Sequence, residues 1–204
     1  MYNTKERIVN ASIKLFNDYG IASVRLQQIA DEIGISVGNL AYHYKNKEAI
    51  INSVYDKLFE DFQQILGVYL KSPSFLDFDS QVSSYFAFFK NYQFYITDLF
   101  ATEHPLPEVR QKWQEFMNKM IFQIRKRLDF HAKRGDLLPQ SEATYDILAE
   151  AIWMTIVFWI PQQQVRNKPI NEKLFKLAVW NHIKPYLTEK GTTDFSSLLL
   201  PAFI

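Results

Sequence analysis

Apolar residues recur every three or four positions through most of the chain, a spacing that collects them on one face of a helix. Ile8, Ala11, Leu15 and Phe16 open the pattern, and Gly20 stands where a left-handed cap would close it, predicting a first helix over 4–19. Leu26, Ile29, Ala30 and Ile33 repeat the spacing for barely two turns before Gly34. A third short stretch follows Ser36, a suitable N-cap, and runs through Leu40 to Tyr44. A fourth helix is predicted from about 46 to 70, with Ile50, Ile51, Val54, Leu58, Phe62 and Ile65 on one face and Pro73 beyond its end. Further helical patterns fall at about 79–91, 94–102, 107–134, 141–160 and 171–188, and Pro185 is expected to bend or end the last of them. Residues 191–204 start like a disordered tail and finish apolar, so their end is expected to dock on the protein or on a partner. The expected class is all-α: a three-helix domain with a helix-turn-helix over 1–47, then a helical domain over 48–204 entered through the fourth helix.

Composition narrows the class further. The chain has 204 residues, 48% of them hydrophobic, with six glycines, eight prolines and no cysteine. That excludes a disordered chain, a disulfide scaffold, thiolate metal sites and cysteine nucleophiles, and it disfavours turn-rich β folds. The charged residues near Met1 leave no signal-peptide core, and the apolar run Ile147–Ile160 falls short of the roughly 20 residues that cross a bilayer. A cytoplasmic protein with no membrane partner is expected. The net charge of +1 announces no polyanionic partner, so any charged surface must be local.

The two short helices around Gly34 have the build of a helix-turn-helix. Leu40 is the inward anchor, whereas Ser36, Val37, Gly38, Asn39, Tyr42, His43 and Lys47 offer groups suited to base edges and phosphates, with a glycine that allows close approach. Arg25 and Gln28 on the preceding helix complete the candidate DNA face. By spacing alone, a solvated polar face on an ordinary helical hairpin is an equal reading. Residues 1–47 hold six Lys/Arg against four Asp/Glu, so cations must gather near the groove and carboxylates on the far side.

The segment GIASVRLQQIADEIGISVGNLAYHYKNKEAI resembles the DNA-binding segment of the TetR/AcrR family of bacterial transcriptional regulators. Ala11, Leu15, Phe16 and Gly20, the Ile29-Ala30 pair, the Gly34, Ile35, Ser36 turn, and Gly38, Leu40, His43, Tyr44 and Lys47 carry the likeness. The resemblance implies a homodimer that binds a near-palindromic double-stranded operator through its N-terminal helices and is released by a small molecule bound among its C-terminal helices. Two positions depart from the family pattern. Arg25 stands where Ser or Thr usually caps the second helix, and the aromatic that usually follows the leucine is displaced from Ala41 to Tyr42. One residue on a helix rotates a side chain by about 100°.

Eight aromatics crowd Tyr85–Phe100, and Trp113, Phe116, Met117, Met120, Trp153, Phe158 and Trp159 offer partners. For any one of them a packed core is the favoured reading. Collectively they predict an apolar pocket lined by Phe86, Phe89, Tyr92, Trp113, Phe116, Met120 and Trp153, with Gln123 and His104 as orienting polar groups, for a hydrophobic or aromatic effector. The helices at 141–160 and 171–188 carry more apolar surface than one core needs and are expected to form the dimer interface. No cofactor is expected. The four histidines are scattered, Asp129 and His131 read as surface residues rather than metal ligands, and no nucleophile or acid–base constellation supports catalysis. The alternative left open is a helical small-molecule-binding protein without operator function.

Overall fold

The computed structural model describes residues 3–68, 74–99 and 107–198, and every regular element among them is helical. The order is α1 (Thr4–Tyr19), α2 (Leu26–Glu32), α3 (Val37–His43), α4 (Lys47–Gly67), α5 (Phe75–Asn91), α6 (Phe94–Leu99), α7 (Pro107–Lys133), α8 (Glu142–Val165), α9 (Glu172–Ile183), a 3-10 turn (Lys184–Tyr186) and α10 (Glu189–Leu198). The chain forms two compact units, one of residues 1–62 with 91–112 and one of 63–90 with 113–204. The first unit therefore extends past residue 47 through four turns of α4 and takes in α6.

In the first unit, α1 starts with a reciprocal cap: the Asn3 side chain accepts from the Glu6 amide at 2.9 Å and the Glu6 carboxylate accepts from the Asn3 amide at 3.0 Å. Gly20, at φ +76°, ends it as expected. Ile8, Phe16, Ile29, Leu40, Ile50 and Leu58 are buried almost completely, so one apolar seam holds α1 to α4 together. The side-chain amide of Asn17 then bridges to the segment before α6, donating to the Asn91 carbonyl at 2.8 Å and accepting from the Phe94 amide at 3.0 Å.

The second unit is held by buried polar links as well as aromatics. Asp79 accepts from Lys176 at 2.7 Å and from the Trp180 indole at 2.9 Å, joining α5 to α9. Arg125, though 8% exposed, pairs with Asp129, Glu142 and Asp146 and so ties α7 to the start of α8. By length and composition α8 could cross a membrane, but Leu148, Ile152, Ile156 and Trp159 are buried within this unit.

Several expected boundaries shift for identifiable reasons. α5 begins at Phe75 rather than 79, because Ser74 and Asp77 form a reciprocal N-terminal cap. α8 continues through Pro161 to Val165, the missing amide being outweighed by the packing of Trp159 and Ile160 on one side of the proline. α9 ends at Ile183, before Pro185, and the chain tightens into the 3-10 turn. The tail expectation is corrected: residues 189–198 are helical, Phe195 is buried against Trp180 with ring centroids 5.1 Å apart, and Gly191 lies against the Asp136 carbonyl. Polar composition hid this helix because the groups it packs against, Asp136 and Trp180, are far away in sequence. The expected docking of the final apolar residues falls on 199–204, and that expectation lies outside the described residues, as do His104 and Phe100.

Candidate nucleic-acid interface

α2 and α3 are each seven residues long, too short to persist alone, so their placement rests on caps and on the seam beneath them. At the start of α2 the Gln28 side chain accepts from the Arg25 amide at 2.8 Å. At its end Arg7 donates to the Ile33 carbonyl at 2.6 Å and Lys14 pairs with Glu32 at 2.5 Å. Two of the six cations in the N-terminal segment are thus spent on holding α1 to α2. Gly34, at φ +70°, makes the turn, and Ser36 caps α3 by accepting from the Asn39 amide at 3.1 Å.

With Leu40 and Tyr44 buried, the 100° step per residue points Gly38 and Tyr42 most directly outward. Tyr42 is 86% exposed, its ring set edge-on to His43 at 5.3 Å. Arg25, Gln28, Ser36, Gly38 and Asn39 are also exposed, and Val37, His43 and Lys47 half-buried. The carbonyl oxygen of Gln28 and the lone pair of Ser36 are used in capping, which leaves the Gln28 amide hydrogens and the Ser36 hydroxyl proton for a partner. The Lys47 ammonium donates to the Ala22 carbonyl at 3.2 Å, and burial pushes its pKa down. One cation on this side was counted in the sequence but given no role: Lys45, exposed directly beyond α3. Lys5 lies over the Tyr44 ring at 6.0 Å. The carboxylates of Asp31 and Glu32 are engaged by Gln27 and Lys14.

Residues 57–195 match the family described as TetR, bacterial transcriptional repressor, and residues 8–54 match the bacterial regulatory proteins of the tetR family. The chain belongs to the TetR family. The HTH-type transcriptional regulator YerO of Bacillus subtilis is 31% identical over 165 residues, 74% of this chain and 54% of that protein. The HTH-type transcriptional regulator RutR of Escherichia coli is 35% identical over 66 residues, 32% of this chain and 28% of that protein. The chain thus spans about half the length, or less, of these curated relatives. A TetR-family transcriptional regulator from Marinobacter aquaeolei superposes with a TM-score of 0.82 at 26% identity, covering 97% of this chain and 98% of that one.

The residues expected to line an effector pocket divide between the two units of this TetR-family chain. Tyr92 belongs to the first unit, where its hydroxyl donates to Asp61 at 2.6 Å. The other six belong to the second unit: Phe86, Phe89, Trp113 and Met120 are buried, and Phe116 and Trp153 half-buried. Phe86 packs on Phe175 and Trp159. The Trp153 indole nitrogen and the Gln123 side-chain oxygen are buried with no hydrogen-bond partner among the described residues, although Gln123 donates to the Leu66 carbonyl at 2.8 Å.

The reading of Asp129 and His131 as solvated surface residues is corrected for His131. It is 4% exposed, its Nδ1 is 2.8 Å from the Asp136 carboxylate, and it stacks on Phe75 at 4.2 Å. Asp129 turns the other way, to Arg125. Their separation onto different faces, which argued against a shared metal, is what the structure shows.

Proposed function

We propose that this chain is a ligand-responsive, sequence-specific DNA-binding regulator of transcription, most simply a repressor, acting as a homodimer in the cytoplasm. The observation that carries the reading is the outward face of α3: a seven-residue helix, capped at its start by Ser36, that presents Gly38, Asn39, Tyr42 and His43 while its only buried anchor is Leu40. Asn39, Tyr42 and His43 read base edges; Arg25, Gln28, Ser36, Lys45 and Lys47 hold phosphates, with Val37 and Gly38 against the groove. Dimerisation is supported by an apolar stripe on α8 that the unit covers only in part: Ile147, Ala151, Met154, Phe158, Pro161 and Val165 recur at three and four residues, with Ala151, Phe158 and Pro161 half-buried and Ile147 and Met154 68% and 55% exposed. Leu174 extends the exposed stripe on α9. A two-fold axis through such a stripe sets two reading helices about 34 Å apart, so the operator is near-palindromic. A hydrophobic effector is placed among Phe86, Phe89, Trp113, Phe116, Met120 and Trp153, with the Trp153 N–H and the Gln123 oxygen as its orienting groups.

The test is selection of bound duplexes from a random library, followed by titration of variants across salt. Lys47→Ala should weaken binding to all duplexes alike and flatten the salt slope by about one, whereas Asn39→Ala should change base preference at a cost of about 1–3 kcal/mol. Failure to enrich any duplex overturns the reading.

A further inference from the structure

Measured from Leu40, the buried anchor, the step of 100° per residue divides the rest of α3 into two flanks. Ala41 and Val37 lie about 100° and about 60° to one side, and Asn39 and His43 about 100° and about 60° to the other. Gly38 and Tyr42 stand between the flanks, each about 20° from the outward direction. The two sides differ in chemistry. One is hydrocarbon: Ala41 is exposed and Val37 half-buried, and Gly38 adds no side chain beside them. The other carries an amide and an imidazole, with Asn39 exposed and His43 half-buried. The Ser36 cap engages the backbone amide of Asn39, not its side chain. Neither Arg nor Lys occurs in α3.

Each flank restricts the base edge it can meet. A polar edge pressed against Val37 and Ala41 would surrender its water and receive no hydrogen bond in return. Thymine alone among the four bases presents a hydrocarbon group in the major groove, its C5-methyl. On the opposite flank, the Asn39 side chain donates through its nitrogen and accepts through its oxygen. That pair matches the N7 acceptor and the N6 donor of adenine, whereas guanine offers two acceptors and is gripped best by the Arg or Lys that α3 lacks. Thymine and adenine stand opposite each other in one base pair, so A·T pairs answer both flanks of the helix at once.

We infer that α3 is built to read A·T pairs, with the C5-methyl of a thymine seated on Val37 and Ala41 and Asn39 bonded to adenine N7 and N6. The inference rests on the operator-binding reading and adds to it the identity of the bases. It also gives a role to Ala41, the position at which this chain lacks the aromatic of the family pattern: a methyl group there leaves space for the methyl of the base.

The test uses the intact protein and a duplex selected from the random library, with single modified bases placed in one half-site and affinity read by fluorescence anisotropy. Deoxyuridine differs from thymidine only in lacking the methyl, and at the contacted thymine it should weaken binding about three- to fivefold. At the contacted adenine, 7-deazaadenine removes the N7 acceptor and should weaken binding about fivefold or more. Ala41→Ser sets a hydroxyl against the base and should bring the thymine-to-uracil ratio to about one while the 7-deazaadenine loss persists; Asn39→Ala should do the converse. Uracil binding as well as thymine at every A·T position, or a thymine-to-uracil ratio unchanged in Ala41→Ser, overturns the inference while the operator reading stands. Failure to select any duplex overturns both. If Ala41→Ser loses the native circular dichroism spectrum, the scan of modified bases with the unaltered protein decides alone.

Discussion

Replacing Gly38 by alanine should make the protein more stable and a worse DNA binder. Gly38 lies inside α3 with an ordinary helical backbone, and a Cβ built on it meets only the Ser36 hydroxyl oxygen, at 3.8 Å, an ordinary contact. Neither a left-handed conformation nor internal crowding calls for glycine, unlike Gly20 and Gly34, whose φ angles of +76° and +70° do. Glycine in a helix interior costs about 1 kcal/mol relative to alanine, and Gly38 is the second residue of α3, so Gly38→Ala should recover at most about that much and raise Tm by no more than roughly 2–4 °C for a chain of this length. On the DNA side, a methyl carbon set about 1.5 Å out from Cα lifts the helix from the groove floor by a similar distance. A hydrogen bond stretched by that amount is lost. Losing one base contact of about 1–3 kcal/mol lowers operator affinity by about 5- to 150-fold. Thermal melting by circular dichroism and fluorescence anisotropy on a selected duplex read the two effects separately. Higher Tm with unchanged affinity would refute the placement of α3 against the groove floor; a lower Tm would refute the account of the glycine.

Three further expectations follow from the second unit. Ile147→Asp puts a charge into the exposed α8 stripe and should convert a dimer into a monomer by analytical ultracentrifugation, with tight operator binding lost; an unchanged mass removes α8 from the interface. Asp79→Ala leaves the buried Trp180 N–H unpaired and Lys176 with only the more distant Glu172, at 3.7 Å, and should cost about 1–3 kcal/mol in urea unfolding, and a cost well under about 1 kcal/mol would show that those groups find other partners. His131 is held below its ordinary pKa of 6.5 mainly by burial, so the unfolded chain takes up its proton first as pH falls, and stability present above pH 6.5 is lost below it. For Asp136 burial pushes upward, but Lys190, His131 and Arg134 outweigh it and hold the carboxyl below its ordinary 3.8, so its contribution is lost only below that value. Urea midpoints of the wild type should therefore fall between pH 7 and 5.5, and His131→Phe should lessen that fall, with the half-buried His182, also pushed down by burial, supplying the remainder. An unaltered pH slope in His131→Phe would show that His131 is not the group responsible.

What the sequence disclosed and what it concealed divide along a physical line. Signals that act over one turn of helix were legible: Gly20 and Gly34 at left-handed φ, Ser36 as an N-cap, Leu40 as the buried anchor, and the 4–19 span of α1 follow from side-chain chemistry and spacing within a few residues. The outward face of α3 was legible for the same reason, since the burial of Leu40 fixes the direction of its neighbours. Groups whose partners lie far along the chain were not. His131 was read as a surface residue because its sequence neighbours are Ala132, Lys133 and Arg134, whereas its cover comes from Phe75 and its polarity is answered by Asp136, which Lys190 in turn holds. α10 was missed for the same reason: Gly191 and Phe195 gain their meaning from Asp136 and Trp180. The aromatics beside Tyr92 likewise gave no sign that its hydroxyl is engaged 31 residues upstream by Asp61. Periodicity says that a residue is covered but not by what, and buried polar groups are the ones for which that difference matters most, because an unanswered one costs far more than an unfilled apolar contact. The buried atoms with no hydrogen-bond partner among the described residues are accordingly where ligand chemistry is to be sought: Gln123 was legible as a polar group among aromatics, whereas nothing in the sequence pattern set His131 Nε2 apart from satisfied neighbours.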